Sequence, residues 1–203
     1  MDIYTSTMLI SIFMFSFATS MMPGPNNIML LSSGLTFGYK RTIPHILGVV
    51  IGFPLMTIFV GLGLGKFFEF SPKAFMVLKV VGMLYLIWLA WQIVKSSPKF
   101  KEYDEDAKPL TFMPIILFQW VNPKNWIKII TAMSVYVTSL EHAMGQIILI
   151  TFVFFTTVVM SANTWAVGGL VLKRLIKSEV GIKRFNTIMA VALIASMAPV
   201  LFK

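Results

Sequence analysis

Six stretches of this chain are apolar over the length needed to cross a bilayer. A hydrocarbon core of about 30 Å calls for roughly 20 apolar residues in a helix, with a workable range of about 17–25. The runs 9–32, 43–65, 75–94, 112–137, 145–172 and 185–202 meet that need; the fifth is long enough to tilt or protrude. Of 203 residues, 57% are hydrophobic and only 12% are charged, with a mean hydropathy of +0.83. A soluble domain is about one quarter charged. The expected fold class is therefore an all-α integral membrane protein. Residues 1–203 form a single transmembrane domain, with halves 1–94 and 111–203 joined by a polar connector, 95–110. The N-terminal run is too long for a cleavable signal peptide and lacks a basic leader, Asp2 being its one charge.

Basic residues set the orientation. The linkers after runs one, three and five hold Lys40, Arg41, Lys95, Lys99, Lys101, Lys108, Lys173, Arg174, Lys177, Lys183 and Arg184, whereas the opposite side holds Lys66, Lys73 and Lys203. Eleven against three is a strong positive-inside bias, so both termini are expected outside. The connector carries Glu102, Asp104, Glu105 and Asp106 against its four lysines and reads as a solvated link. The net charge of +9 lies between apolar runs, where it meets lipid headgroups, and is no sign of a nucleic-acid partner. With no cysteine, disulfides and thiolate metal sites are excluded, and no cofactor is implied. His45 and His142 are distant from each other, and no acid lies in any run, so a metal site is not expected. Either histidine could titrate near neutrality, but both are read as lying near a membrane surface.

Three runs precede the connector and three follow it. An odd number per half places the halves in opposite orientation, so if they are homologous the repeat is inverted. One motif supports the repeat. Pro25-Asn26-Asn27 and Pro123-Lys124-Asn125 occupy corresponding places in the first run of each half, 98 residues apart.

Those two motifs also interrupt their helices. Proline lacks the N–H and clashes with the preceding turn. Such breaks are tolerated at membrane depth only when buried in protein or lining a wet cavity, and paired breaks in two halves point to a transporter's binding site. In the first break, Pro23, Gly24 and Pro25 disturb the helix, and Pro25 can start a second half-helix. The positive end of that half-helix would favour a carboxylate, while Asn26 and Asn27 offer amide donors and acceptors. The alternative is a kink repaired by neighbouring helices. In the second break, Asn122, Pro123 and Asn125 flank Lys124, about 18 Å into the run at 1.5 Å per residue. A lysine at the bilayer centre costs about 2.5–3.5 kcal/mol on insertion scales, and no intramembrane acid is available to pair it. A substrate carboxylate would supply the missing charge; the bland alternative is a lysine that snorkels to the surface. Lys128 lies one turn on, either in the same wet cavity or purely structural. Asn163 either lines the pathway or bonds a neighbouring helix. Gly48 and Gly52 suit close helix packing, within one chain or across a homodimer. The runs hold no nucleophile–base–orienter set, so an enzyme is not supported. Nor is there the filter repeat or charged ring of a channel.

The chain resembles the LysE/RhtB family of bacterial amino-acid exporters. The resemblance is carried by Met22-Pro23-Gly24-Pro25-Asn26-Asn27, by Ser33-Gly34-Leu35-Thr36-Phe37-Gly38, by Leu84-Tyr85-Leu86-Ile87-Trp88-Leu89-Ala90-Trp91 and by Phe118-Gln119-Trp120-Val121-Asn122-Pro123-Lys124. It covers essentially the whole length, and Trp88–Trp91 with Asn163-Thr164-Trp165 look most like the cysteine and O-acetylserine branch. The resemblance implies export of small amino acids or derivatives across the bacterial inner membrane, driven by exchange with protons. The candidate substrate-binding residues from the two breaks and the fifth run are Pro23, Gly24, Pro25, Asn26, Asn27, Asn122, Pro123, Lys124, Asn125 and Asn163. Two rivals stand beside it: an exporter of another solute or a metal cation, and a non-transporting membrane scaffold.

Overall fold

The computed structural model describes residues 6–64, 72–95, 109–138, 141–176 and 178–195. Most of the expected connector and the end of the sixth apolar run lie outside the described residues. Every regular element among the described residues is helical: α1 (Ser6–Met21), α2 (Pro25–Phe37), α3 (Tyr39–Phe59, continued by a π-helical turn Val60–Leu64), α4 (Pro72–Lys95), α5 (Phe112–Val121), α6 (Pro123–Tyr136), α7 (Ala143–Leu175) and α8 (Glu179–Ala195).

Two segments, Tyr39–Gly63 and Ala143–Leu172, are each long and apolar enough to cross a membrane as a single helix. The first apolar run is instead two helices, α1 and α2, bent by 54° at the proline motif. The fourth run divides in the same manner: α5 stops at Val121, and α6 begins at Pro123. Both second half-helices start on the proline itself, where its absent N–H costs nothing.

Burial differs from that of a water-soluble protein: many polar residues share the interior with the apolar core, and large apolar side chains cover the outside. Ser16, Ser20, Asn27, Ser32, Ser33, Thr36, Gln119, Asn122, Asn125, Thr157, Ser161 and Asn186 are buried, while Ile10, Met14, Ile51, Leu117, Ile148, Phe152, Ile188 and Val191 are exposed. An exterior so rich in exposed apolar side chains is unfavourable in water and suits lipid. The inner polar groups find their partners in one another and in backbone carbonyls. Ser32 Oγ donates to Asn186 Oδ1 (2.9 Å), Asn186 Nδ2 donates to Thr36 Oγ1 (3.0 Å), and Ser33 and Thr42 share a hydroxyl bond of 3.0 Å.

The short half-helix α2 is the centre of the molecule. It packs on α3, α4, α7 and α8, and between Asn27 and Thr36 only Leu31 is not buried. Its crossing with α7 is held by glycines. A Cβ on Gly34 would lie 2.1 Å from Ala166 O, and one on Gly169 would lie 2.1 Å from Leu31 O. Small residues of this kind bring helix backbones together where lipid offers no hydrophobic drive for association. At the end of α2 the chain turns into α3 through Gly38 alone, at φ 78°, a conformation that favours glycine. Gly48 and Gly52 are used internally: they seat α3 against Ile115 and Gln119 of α5.

Replacing Gly34 or Gly169 by valine forces two backbones apart, an overpacking cost of about 1–3 kcal/mol or more. Both variants are expected to lose much of the wild-type thermal midpoint in detergent. Gly168→Ala, where the nearest atom to the new methyl is Leu31 Cδ1 at 3.5 Å, is expected to melt as the wild type does. Equal melting of all three would show that the α2–α7 crossing does not depend on the glycines.

Candidate functional site

A broken helix frees carbonyls at the end of its first half and amides at the start of its second. At the first break the freed carbonyls are those of Ser20, Met22 and Pro23. Asn27 Nδ2 donates to Ser20 O (2.7 Å) and Met22 O (2.9 Å), Ser161 Oγ of α7 donates to Ser20 O (2.7 Å), and Lys124 Nζ donates to Pro23 O (3.0 Å). At the second break they are those of Gln119 and Trp120. Asn125 Nδ2 donates to Gln119 O (3.2 Å), and Trp126 Nε1 donates to Trp120 O (2.6 Å). In both breaks, side chains from the second half-helix cap the carbonyls of the first.

Gln119 joins the two breaks. Its Oε1 accepts from Asn26 Nδ2 (2.8 Å) and Asn125 Nδ2 (3.0 Å), while its Nε2 donates to Asn26 Oδ1 (3.1 Å) and Ile115 O (2.9 Å). The amide thus uses its full hydrogen-bonding capacity with no exposure to solvent. Lys124 adds a second tie, since it belongs to one break and caps a carbonyl of the other.

The two N-termini differ. Asn122 caps α6: its Oδ1 accepts from Lys124 N (3.1 Å), and its carbonyl accepts from Asn125 N (3.0 Å). Gly24 precedes α2 with an extended backbone, and no side chain caps the first amides of that helix. A Cβ there would stand 2.6 Å from Lys124 Nζ, so a side chain at this position would displace the ammonium from its place beside Pro23 O.

A cavity of about 50 Å³ lies at this junction. Gly24, Pro25, Asn26 and Asn27 line it from α2 and its approach, and Asn122, Lys124, Asn125 and Lys128 from the second break. Thr19 and Ser20 of α1, Phe53 of α3 and Ser161 of α7 complete much of the wall. Lys128 Nζ donates to Ser20 Oγ (2.8 Å) and stands 4.6 Å and 4.7 Å from the ring centres of Phe53 and Phe154. Two ammonium groups and a helix N-terminus therefore face a space whose lining residues include no carboxylate, an arrangement that attracts an anion.

Most of the residues marked from sequence meet here. Gly24, Pro25, Asn26, Asn27, Asn122, Lys124 and Asn125 line the cavity, and Pro23 supplies the carbonyl that Lys124 holds. Pro123 is buried at the start of α6. Asn163 lies elsewhere: it accepts a hydrogen bond from the Tyr39 hydroxyl and donates to Val159 O (2.7 Å), tying α7 to the start of α3. Asn26 and Asn27, marked as amide ligands, already spend much of their capacity inside the protein. His45, near the start of α3, is fully buried within the protein, with neither ring nitrogen bonded, and it does not line the cavity. Sequence reasoning missed Gln119 as a hub, together with Thr19, Ser20 and Phe53. A glutamine four residues before a proline break in an apolar run was the one available signal for Gln119.

An all-helical, lipid-suited chain with a polar cavity between two broken helices belongs to the class of membrane transporters. The chain is a member of the LysE type translocator family, whose model matches residues 17–201. It is similar to the cysteine/O-acetylserine efflux protein of Escherichia coli O139:H28 (strain E24377A / ETEC), at 30% identity over 193 residues, covering 94% of this chain and 95% of that protein. The cysteine/O-acetylserine efflux proteins of Escherichia coli (strain K12) and Shigella sonnei (strain Ss046) are each 29% identical over the same coverage. No solved structure matches the chain.

Gln119→Leu removes the hub at nearly constant volume and leaves the Asn26 and Asn125 amides without their shared partner. An unmet buried polar group costs about 1–3 kcal/mol. The variant is expected to melt well below the wild type in detergent, and Asn26→Ala made on top of it should cost little more. Full additivity of the two changes would show that the residues do not act as one network.

Proposed function

We propose that this protein exports small amino acids or their derivatives from the cytoplasm, as a secondary transporter exchanging substrate for protons. The observation that carries the proposal is the cavity at the two breaks, with an uncapped helix N-terminus and Lys124 side by side in its wall and no carboxylate among its lining residues. A substrate carboxylate fits between the first amides of α2 and the Lys124 ammonium. It gains charge-assisted hydrogen bonds and answers the missing counter-charge. The amino end of the substrate meets acceptors on the other side. Asn125 Oδ1 accepts no hydrogen bond among the described residues, and the Thr19 and Ser20 hydroxyls lie nearby along the wall. Gly24, Pro25, Asn26, Asn122, Lys124 and Asn125 form this site; Asn27, Pro23 and Pro123 hold its shape, and Asn163 braces the outer helices. The relatives named for cysteine and O-acetylserine efflux make those two compounds the first cargo to test. The lining of ammonium, amide and hydroxyl groups is poorly suited to a metal cation.

The arrangement of helices supports six spans in two inverted halves, in which α1–α2 corresponds to α5–α6, α3 to α7 and α4 to α8. On that scheme α3 pairs with α7 and α4 with α8, and α3 lies against α5 as α7 lies against α1, whereas the close α2–α7 packing has no equal between α6 and α3. Contacts of this kind are expected about a two-fold axis in the membrane plane, with alternating access around a fixed central site. The bias of the basic linkers supports placing both termini outside the inner membrane.

The test is counterflow in proteoliposomes preloaded with unlabelled cysteine, O-acetylserine, threonine, homoserine and leucine, each labelled in turn outside. Uptake of one or a few is expected, falling at least tenfold, or about 1.4 kcal/mol, in Lys124→Ala. No exchange by folded protein would overturn the exporter proposal. Exchange at the wild-type rate in Lys124→Ala would overturn the site.

A further inference from the structure

We infer that Lys128 carries the exchanged proton, and that Ser20, Thr157 and Ser16 form a buried hydroxyl relay leading from it along α1. The inference rests on the exporter function proposed above and adds the group that couples it to protons.

The relay starts at the cavity. Lys128 Nζ donates to Ser20 Oγ at 2.8 Å, Ser20 Oγ lies 3.4 Å from Thr157 Oγ1, and Thr157 Oγ1 lies 2.5 Å from Ser16 Oγ. All three hydroxyls belong to buried residues. A hydroxyl both donates and accepts, so a row of them can pass a proton along without any member staying charged. The balance is simple. The Lys128 ammonium gives a proton to Ser20 Oγ as Ser20 gives its own to Thr157 and Thr157 gives its own to Ser16. The Ser16 proton leaves to water, and Lys128 is left as a neutral amine; reloading runs in reverse. The Thr157 hydroxyl also has Phe154 O within 3.1 Å. That second orientation interrupts the row until the hydroxyl turns.

Lys128 is placed to be the carrier. Among the cavity-lining residues the only other titratable side chain is Lys124, one turn earlier on the same helix, whose ammonium is turned to Pro23 O. The groups facing Lys128 from the other elements are Thr19 and Ser20 of α1, Asn27 of α2, Phe53 of α3, and Phe154 and Ser161 of α7. None of them titrates. With no carboxylate among these neighbours, the charge of Lys128 is held by a hydroxyl and two aromatic faces and not locked in an ion pair. His45 is a second buried candidate among the described residues, but its nitrogens have no partner and it does not line the cavity.

This placement makes the coupling an exchange. A substrate whose carboxylate lies at Lys124 has its own ammonium on the Lys128 side of a small cavity. Two ammonium groups in that space repel, whereas a neutral Lys128 amine accepts a hydrogen bond from the substrate. Proton and substrate therefore exclude each other, as antiport requires. Ile12, fully buried one turn beyond Ser16, closes the row. Wetting of Ser16 requires this turn to part from its neighbours, which ties proton entry to the outward-open state.

The relay residues Thr157 and Ser16 do not line the cavity, so they allow a clean test. Counterflow of labelled cysteine and O-acetylserine is measured with and without an imposed pH gradient, with a pH-sensitive dye trapped in the vesicles. Thr157→Val and Ser16→Ala each unpair one buried hydroxyl and are expected to melt below the wild type, yet to remain folded and keep counterflow. They should lose the acceleration by the gradient and the dye signal on substrate addition. Lys128→Arg, charged at all times, is expected to lose substrate exchange, and Lys128→Met to lose proton movement. Retention of the full gradient effect in both Thr157→Val and Ser16→Ala would overturn the relay, and retention in Lys128→Met would overturn the carrier. Wild-type counterflow that ignores the gradient would overturn proton carriage and leave the exporter standing. Absence of any counterflow in folded wild-type protein would overturn both.

Discussion

Carbonyl groups freed inside hydrocarbon must find donors within the protein, and this need organises the centre of the molecule. Two proline breaks release the last carbonyls of α1 and α5. Water is not available to them there, and each unmet group would cost several kcal/mol. The amides of Asn27 and Asn125, the indole of Trp126, the hydroxyl of Ser161 and the ammonium of Lys124 meet them instead. The polar residues around each proline are thus first the repair of the break.

That repair leaves a selective remainder. Asn122 closes the N-terminus of α6, whereas α2 begins on a glycine without a side-chain cap. Gln119 saturates itself by binding Asn26 and Asn125. What is left facing the cavity is mostly cationic: the start of α2, Lys124 and Lys128. An ammonium group has three donors, and each of these lysines makes one hydrogen bond in the structure. The positive character of the cavity wall is therefore the charge that the helix repairs do not consume.

The roles of single residues diverge from their types at several points. Asn26 and Asn163 are both amides at depth, yet one joins the two breaks and the other braces α7 on α3. Lys124 and Lys128 share one face of α6, yet one caps a carbonyl and the other sits between two phenylalanine rings beside a hydroxyl row. His45, at a position that sequence places near a membrane surface, is wholly enclosed. Each of these differences comes from a neighbour distant in the chain.

Much of the fold was legible in the sequence because it depends on local properties. Apolar run length predicts helices long enough for a bilayer, and proline predicts where two of them are interrupted, with the second half-helices starting on Pro25 and Pro123 themselves. The resemblance carried by those motifs led to the family that the chain belongs to. Only the tertiary structure decided which polar groups were spent and which were left. Gln119 reaches Asn26 across 93 residues, Lys124 reaches Pro23 across 101, and Ser16 reaches Thr157 across 141. A residue's type states what it can bond, but whether that capacity remains for a substrate depends on which helix faces it. Helix pairing here is set by glycine contacts such as Gly34 on Ala166 and Gly169 on Leu31, which a period along one chain segment does not encode.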